Sequence, residues 1–89
     1  MLKIEIYTKS YCPYCKAAKQ TLTSMGLSYH EIEVSDSQIL LREMVNRSLR
    51  RTVPQIFVGD IHIGGHDDLM AAIKNGQFKQ VLTQQVNAQ

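Results

Sequence analysis

An 89-residue chain with 44% hydrophobic residues has room for one domain and one core, and its composition excludes disorder. A net charge of +2 is too small to indicate nucleic acid, and no apolar run approaches the ~20 residues of a membrane span. Two cysteines are too few for the disulfide framework of a small secreted protein. Residues 1–89 are therefore expected to form a single soluble, monomeric domain in a reducing cytoplasm, with no membrane or nucleic-acid partner.

The opening run Met1-Leu2-Lys3-Ile4-Glu5-Ile6 alternates apolar and charged residues, which predicts a strand rather than a signal peptide. Ile4, Ile6 and Leu2 share one face, and the strand ends near Thr8. A helix is predicted from Pro13, with Tyr14, Ala18, Leu22 and Met25 as its apolar stripe and Gly26 ending it. Leu27 to Val34 alternates again and reads as a second strand carrying Tyr29, Ile32 and Val34. Asp36 or Ser35 is placed to cap a second helix with Ile39, Leu40, Leu41, Met44, Val45 and Leu49 on its apolar positions. The basic cluster from Arg47 to Arg51 reads as a solvated face and loop, with a local anion site as the functional alternative.

Thr52-Val53-Pro54 breaks this pattern. Gln55-Ile56-Phe57-Val58 and Ile61-His62-Ile63 flank Gly59-Asp60, a good hairpin signal. Gly64-Gly65 ends the return strand, and Asp67-Asp68 opens a third helix through Leu69, Met70 and Ile73, stopped at Asn75-Gly76. Phe78, Val81, Leu82 and Val86 indicate a short final helix. The order βαβ, α, ββ, α requires a parallel pair extended by an antiparallel hairpin. The expected fold class is α/β, a four-stranded mixed sheet flanked by helices on the plan of the thioredoxin-like fold. The spatial order of the strands does not follow from the pattern.

Both cysteines fall where the first strand gives way to the first helix, in Thr8-Lys9-Ser10-Tyr11-Cys12-Pro13-Tyr14-Cys15-Lys16-Ala17. Two cysteines separated by two residues can close a small disulfide ring. The unpaired N–H groups and positive dipole end of the helix favour an anion at the leading sulfur. Pro13 suits the first helical position, where its missing N–H removes no helical bond. With Lys9 and Lys16 nearby, the residues point to thiol–disulfide chemistry at Cys12.

From Tyr7-Thr8-Lys9 and Cys12-Pro13-Tyr14-Cys15, through Thr52-Val53-Pro54-Gln55-Ile56-Phe57, to Gly64-Gly65-His66-Asp67-Asp68, the chain resembles a small dithiol glutaredoxin over residues 2 to 82. The resemblance implies a glutathione-dependent oxidoreductase in which Cys12 is the nucleophile and Cys15 the resolving thiol. Its substrates would be glutathionylated and disulfide-containing proteins. Glutathione would be the reducing co-substrate, with no tightly bound cofactor and no metal. The resemblance also implies a cis bond before Pro54, with glutathione paired to the Val53 backbone beside Thr52. One glutathione carboxylate would meet Lys9 and Gln38, and the γ-glutamyl end would meet Gly65, His66 and Asp67. Asp67 and Asp68 also read as helix caps, Asp68 chiefly so. Tyr14 either covers the bound peptide or packs on the sheet edge, while Tyr7 and Tyr29 are packing residues.

Two residues depart from the family pattern. Leu49 stands where glycine is usual; at positive φ it would be strained by roughly 1 kcal/mol or more. His66 stands where many relatives carry cysteine, which keeps the backbone N–H but brings an imidazole. Two other functions compete with the dithiol reading. A glutaredoxin-like redoxin served by thioredoxin reductase typically carries a Trp-Ser-Gly-Phe block, and this chain has no Trp. An iron–sulfur module with glutathione as a further ligand is usual for Cys-Gly-Phe-Ser members, a motif that Pro13 and Cys15 do not match.

Overall fold

The computed structural model describes residues 3–87. Leu2 and the side chain of Val86, both assigned to apolar faces above, lie outside what it describes. The elements are β1 (Ile4–Thr8), α1 (Pro13–Ser24), β2 (His30–Glu33), α2 (Gln38–Ser48), β3 (Gln55–Val58), β4 (Ile61–Gly64), α3 (His66–Lys74) and α4 (Gln77–Asn87). The sheet runs β2-β1-β3-β4. β1 pairs with β2 in parallel and with β3 antiparallel, and β3 pairs with β4 as a hairpin. This is the mixed four-stranded sheet expected from the element order. Strand order comes from tertiary pairing: β3, the later strand, inserts beside β1 and completes its hydrogen-bonding edge.

Alternation along the strands divides the core in two. Ile4 and Ile6 of β1 and Ile56 and Val58 of β3 face a cluster with Ala18 and Leu22 of α1, Leu69 of α3 and Phe78 of α4. Tyr7 and Phe57 face the other way, against Val34 and Met44 of α2. Three helices thus cover one face and α2 the other, so both faces of the central strands are dry, as the uniform burial of β3 records.

Several details of the expected faces are corrected. The buried stripe of α1 is Cys15, Ala18 and Leu22. Tyr14 and Met25 are 63% and 41% exposed, because the helix turns its cysteine, not its tyrosine, inward. Tyr29 and Ile32, an odd number of residues apart, serve opposite core clusters. The cap of α2 is Ser37, whose hydroxyl accepts from the Leu40 N–H at 3.1 Å, rather than Asp36 or Ser35. Ile39 on the same helix is exposed.

Leu49 closes α2 in the left-handed conformation, at φ 60° and ψ 26°, with its N–H donating to the Val45 carbonyl. The side chain is 86% exposed, so it gains nothing in packing for a backbone state that L-residues avoid. Leu49→Gly is therefore expected to raise stability by about 0.5–1 kcal/mol in urea unfolding, relief of strain outweighing the added flexibility of glycine.

Candidate active site

β1 ends at Thr8, and the connection to α1 is tied down from the side. The Ser35 hydroxyl accepts from the Ser10 N–H at 2.8 Å, and Val34 donates to the Thr8 carbonyl at 2.9 Å. The chain then passes through Tyr11 at φ 57° and reaches Cys12, the N-cap of α1, with Pro13 in the first helical turn. Cys12 Sγ accepts the Cys15 N–H at 3.1 Å, so the sulfur occupies the place usually taken by a capping oxygen. No acidic residue in the first turn competes for the positive end of the helix.

Cys12 and Cys15 are joined in a disulfide with their Cα atoms 5.2 Å apart. Their environments differ sharply. Both line a groove of about 720 Å³ with Lys9, Lys16, Lys19, Glu31 and Glu33, and Cys12 is half-buried there. Cys15 is 2% exposed against the core. An incoming sulfur can reach the first cysteine and not the second.

Beside Cys12 lies a pocket of about 270 Å³, lined by Tyr14, Arg50, Thr52, Val53, Pro54 and the run from Gly65 to Asp68. The Val53–Pro54 bond is cis, as the resemblance implied, and the Val53 carbonyl oxygen lies 3.9 Å from Cys12 Sγ. The opposite wall is the N-terminus of α3, capped by Gly65. The Tyr14 ring stands 5.6 Å from the His66 ring, so Tyr14 borders the pocket instead of packing on the sheet edge. Asp67 is 97% exposed in its side chain and touches His66 Nδ1 at 3.4 Å. Of the residues singled out from sequence, Tyr14, Thr52, Val53, Pro54, Gly65, His66 and Asp67 are brought together here. Lys9 lies in the larger groove, and Gln38, exposed at the start of α2, lines neither cavity.

Arg50 and Asp68 were not assigned to the site from sequence. The Arg50 guanidinium meets Asp68 Oδ2 at 2.7 Å, and the same oxygen accepts the Gly65 N–H at 2.9 Å. Asp68 therefore caps α3 and anchors the basic loop across the pocket. One signal was present: the cluster from Arg47 to Arg51 admitted a local anion site, and Arg50 is its member in the pocket. Arg47 instead reaches inward, donating to the Tyr7 hydroxyl at 2.9 Å and pairing with Glu5 at 3.2 Å.

The bond from Arg50, then the Gly65 N–H, holds the Asp68 carboxyl below the usual carboxylate range. A lowered acid contributes stability that is full above its unfolded pKa, ~3.9, and is lost as pH falls through the folded value. The stability gap between wild type and Asp68→Asn is thus expected to stay constant above about pH 5 and to shrink below about pH 4. Urea midpoints across that range measure it.

A half-buried sulfur at a helix start, bonded to a buried partner sulfur three residues on and flanked by a pocket with a backbone wall, defines a thiol–disulfide oxidoreductase on a thioredoxin-like sheet. The glutaredoxin family model matches residues 4–63. The chain is 46% identical to Glutaredoxin 3 of Escherichia coli strain K12 over 82 residues, covering 92% of this chain and 99% of that one. A solution structure of glutaredoxin from Brucella melitensis is 44% identical, with a TM-score of 0.80 over 92% of this chain and 89% of that chain. A buckwheat glutaredoxin–glutathione complex superposes with a TM-score of 0.83 at 29% identity, covering 94% and 79%. The chain belongs to the glutaredoxin family, whose members are thiol–disulfide oxidoreductases. Among the described residues, no helix is long and apolar enough to cross a membrane, and no group of three or more His, Cys, Asp or Glu is placed to hold a metal ion.

Proposed function

We propose that this chain uses glutathione to reduce protein–glutathione mixed disulfides and protein disulfides, with Cys12 as nucleophile and Cys15 as resolving thiol. The observation that carries the reading is the accessible Cys12 sulfur at the N-cap of α1, beside a pocket with backbone groups on one wall and a helix N-terminus on the other. The buckwheat relative is a glutathione complex, which supports the same ligand here.

In the proposed reaction the Cys12 thiolate attacks the glutathione sulfur of a mixed disulfide. The protein sulfur leaves as a thiolate and takes a proton, and glutathione remains bonded to Cys12. A second glutathione thiolate then attacks that glutathione's sulfur, which releases glutathione disulfide and restores the Cys12 thiolate. In the dithiol route Cys12 attacks a protein disulfide, and the Cys15 thiolate attacks Cys12 Sγ to expel the second protein sulfur. The Cys12–Cys15 disulfide that remains is the state closed in the structure, and two glutathione molecules reopen it.

The residues singled out from sequence each have a role in this reading. The Val53 backbone, with Thr52 and Pro54 beside it, pairs with the extended tripeptide as an edge strand would. The γ-glutamyl carboxylate meets the Gly65 and His66 end of α3, where N–H groups and the dipole favour an anion. Asp67, exposed and facing the same opening, takes the ammonium. Lys9 and Gln38 take the other carboxylate, and Tyr14 covers the peptide.

Ionisation of the attacking sulfur has a limited direct effect on its rate. Lowering a generic thiol from pKa ~8.5 to ~5 raises its thiolate fraction at pH 7 roughly 30-fold, while a Brønsted slope of ~0.45 lowers nucleophilicity about 40-fold. The gain lies in the leaving-group role, so activation should show most in regeneration by glutathione.

The hydroxyethyl-disulfide assay, with glutathione and its reductase, tests the reading. Turnover that depends on glutathione is expected. Turnover supported by thioredoxin reductase and absent with glutathione would replace it with the redoxin alternative.

A further inference from the structure

The segment that forms the backbone wall of the pocket lacks ordinary fastening. Among the described residues, no loop or turn backbone hydrogen bond involves Thr52 or Val53. What holds Thr52 is a side chain from the core. Gln55, 0% exposed, donates through Nε2 to the Thr52 carbonyl at 3.0 Å and to Thr52 Oγ1 at 3.3 Å.

With its amide nitrogen committed to Thr52, Gln55 presents Oε1 in the other direction, where His62 Nε2 lies 2.7 Å away. The network therefore assigns the proton to Nε2, since an oxygen acceptor needs a donor opposite it. The His62 ring is held in turn by stacking on Phe57, with centroids 4.9 Å apart and planes inclined by 30°. The Thr52 carbonyl fixes the amide, because it can only accept: turned over, Gln55 would set its own oxygen against it.

We infer that His62 and Gln55 are positioning residues. Through the chain His62 Nε2–H to Gln55 Oε1, and Gln55 Nε2–H to Thr52, the hairpin sets the place of the backbone that receives the tripeptide. This rests on the reading of the pocket as the glutathione site. Neither residue touches the reacting sulfurs, so the chain acts on binding and leaves the chemical step alone.

The test is the apparent KM for a glutathionylated peptide, whose glutathionyl group the pocket receives, and the kcat of purified full-length variants, with thermal melting as a check of folding. His62→Phe keeps the ring on Phe57 and removes the donor; Gln55→Met keeps the volume and removes both links. Each is expected to raise KM about five- to tenfold, the effect of one or two neutral hydrogen bonds, with kcat within about twofold. His62→Gln restores an N–H donor near the position of Nε2 and is expected to return KM to within about twofold of wild type. Should His62→Phe fail to fold, Gln55→Met and His62→Gln carry the comparison. A KM unchanged in Gln55→Met, or a His62→Gln protein as impaired as His62→Phe, overturns the inference. A wild-type protein that does not turn over glutathionylated peptide with glutathione as reductant overturns the underlying function instead, which separates the two failures.

Discussion

Cys12→Ser is expected to abolish transfer from every disulfide substrate, whereas Cys15→Ser retains removal of glutathione from glutathionylated proteins and loses reduction of protein disulfides. The asymmetry follows from burial and position. Cys12 sits at the N-cap of α1 and reaches the groove, while Cys15 is 2% exposed and faces the core. Serine at Cys12 keeps a capping oxygen, so the helix start survives, but its hydroxyl is no nucleophile toward sulfur at neutral pH. Serine at Cys15 leaves the external glutathione route intact, since that route never uses the second sulfur. Steady-state rates with a glutathionylated peptide and with a disulfide-bonded protein separate the two activities. A Cys15→Ser protein inactive on the glutathionylated peptide would show that the roles are assigned wrongly.

Gly64→Ala is expected to destabilise the fold by about 2–4 kcal/mol and to weaken the pocket together with the sheet. Gly64 is buried at the end of β4 with φ +116°, a conformation that side chains with a Cβ rarely adopt, at a cost of about 1–3 kcal/mol. Its pairing with Ile56 follows a bulge, since Phe57 already pairs with His62 and leaves Ile63 over. A Cβ added here would lie 2.7 Å from Asp68 Cγ. Asp68 would have to swing away, giving up the Gly65 N–H and Arg50 together, and the lost cap adds ~1 kcal/mol. Urea unfolding measures the loss; a variant within about 0.5 kcal/mol of wild type would show that the close approach is relieved elsewhere.

The reactive segment could be read from the sequence because its determinants are local. A proline at the first turn, two cysteines three positions apart and a glycine pair before two aspartates each carry their meaning within a few residues. Element types were legible for the same reason, since periods of 2 and 3.6 are local quantities. Burial was legible only on average. Ala18, Leu22 and Met44 are buried as their spacing implies, whereas Tyr14, Met25 and Ile39 have the same spacing and are exposed, because helix orientation is set by what packs beneath and turns Cys15 inward. Ser37 takes the cap of α2 one residue beyond Asp36 and two beyond Ser35, within the ordinary uncertainty of a helix start. The Arg50–Asp68 pair and the Thr52–Gln55–His62 chain had no such signature. They join residues whose contact depends on how the hairpin and the basic loop meet in space.

The most direct test of the account is brief alkylation of the reduced wild-type protein with a limiting amount of iodoacetamide at about pH 6, where an ordinary thiol is almost fully protonated, followed by peptide mapping. The label is expected on Cys12 with Cys15 unmodified. A label confined to Cys15, shared evenly between the two, or absent from both would contradict an accessible, ionised Cys12 at the head of α1.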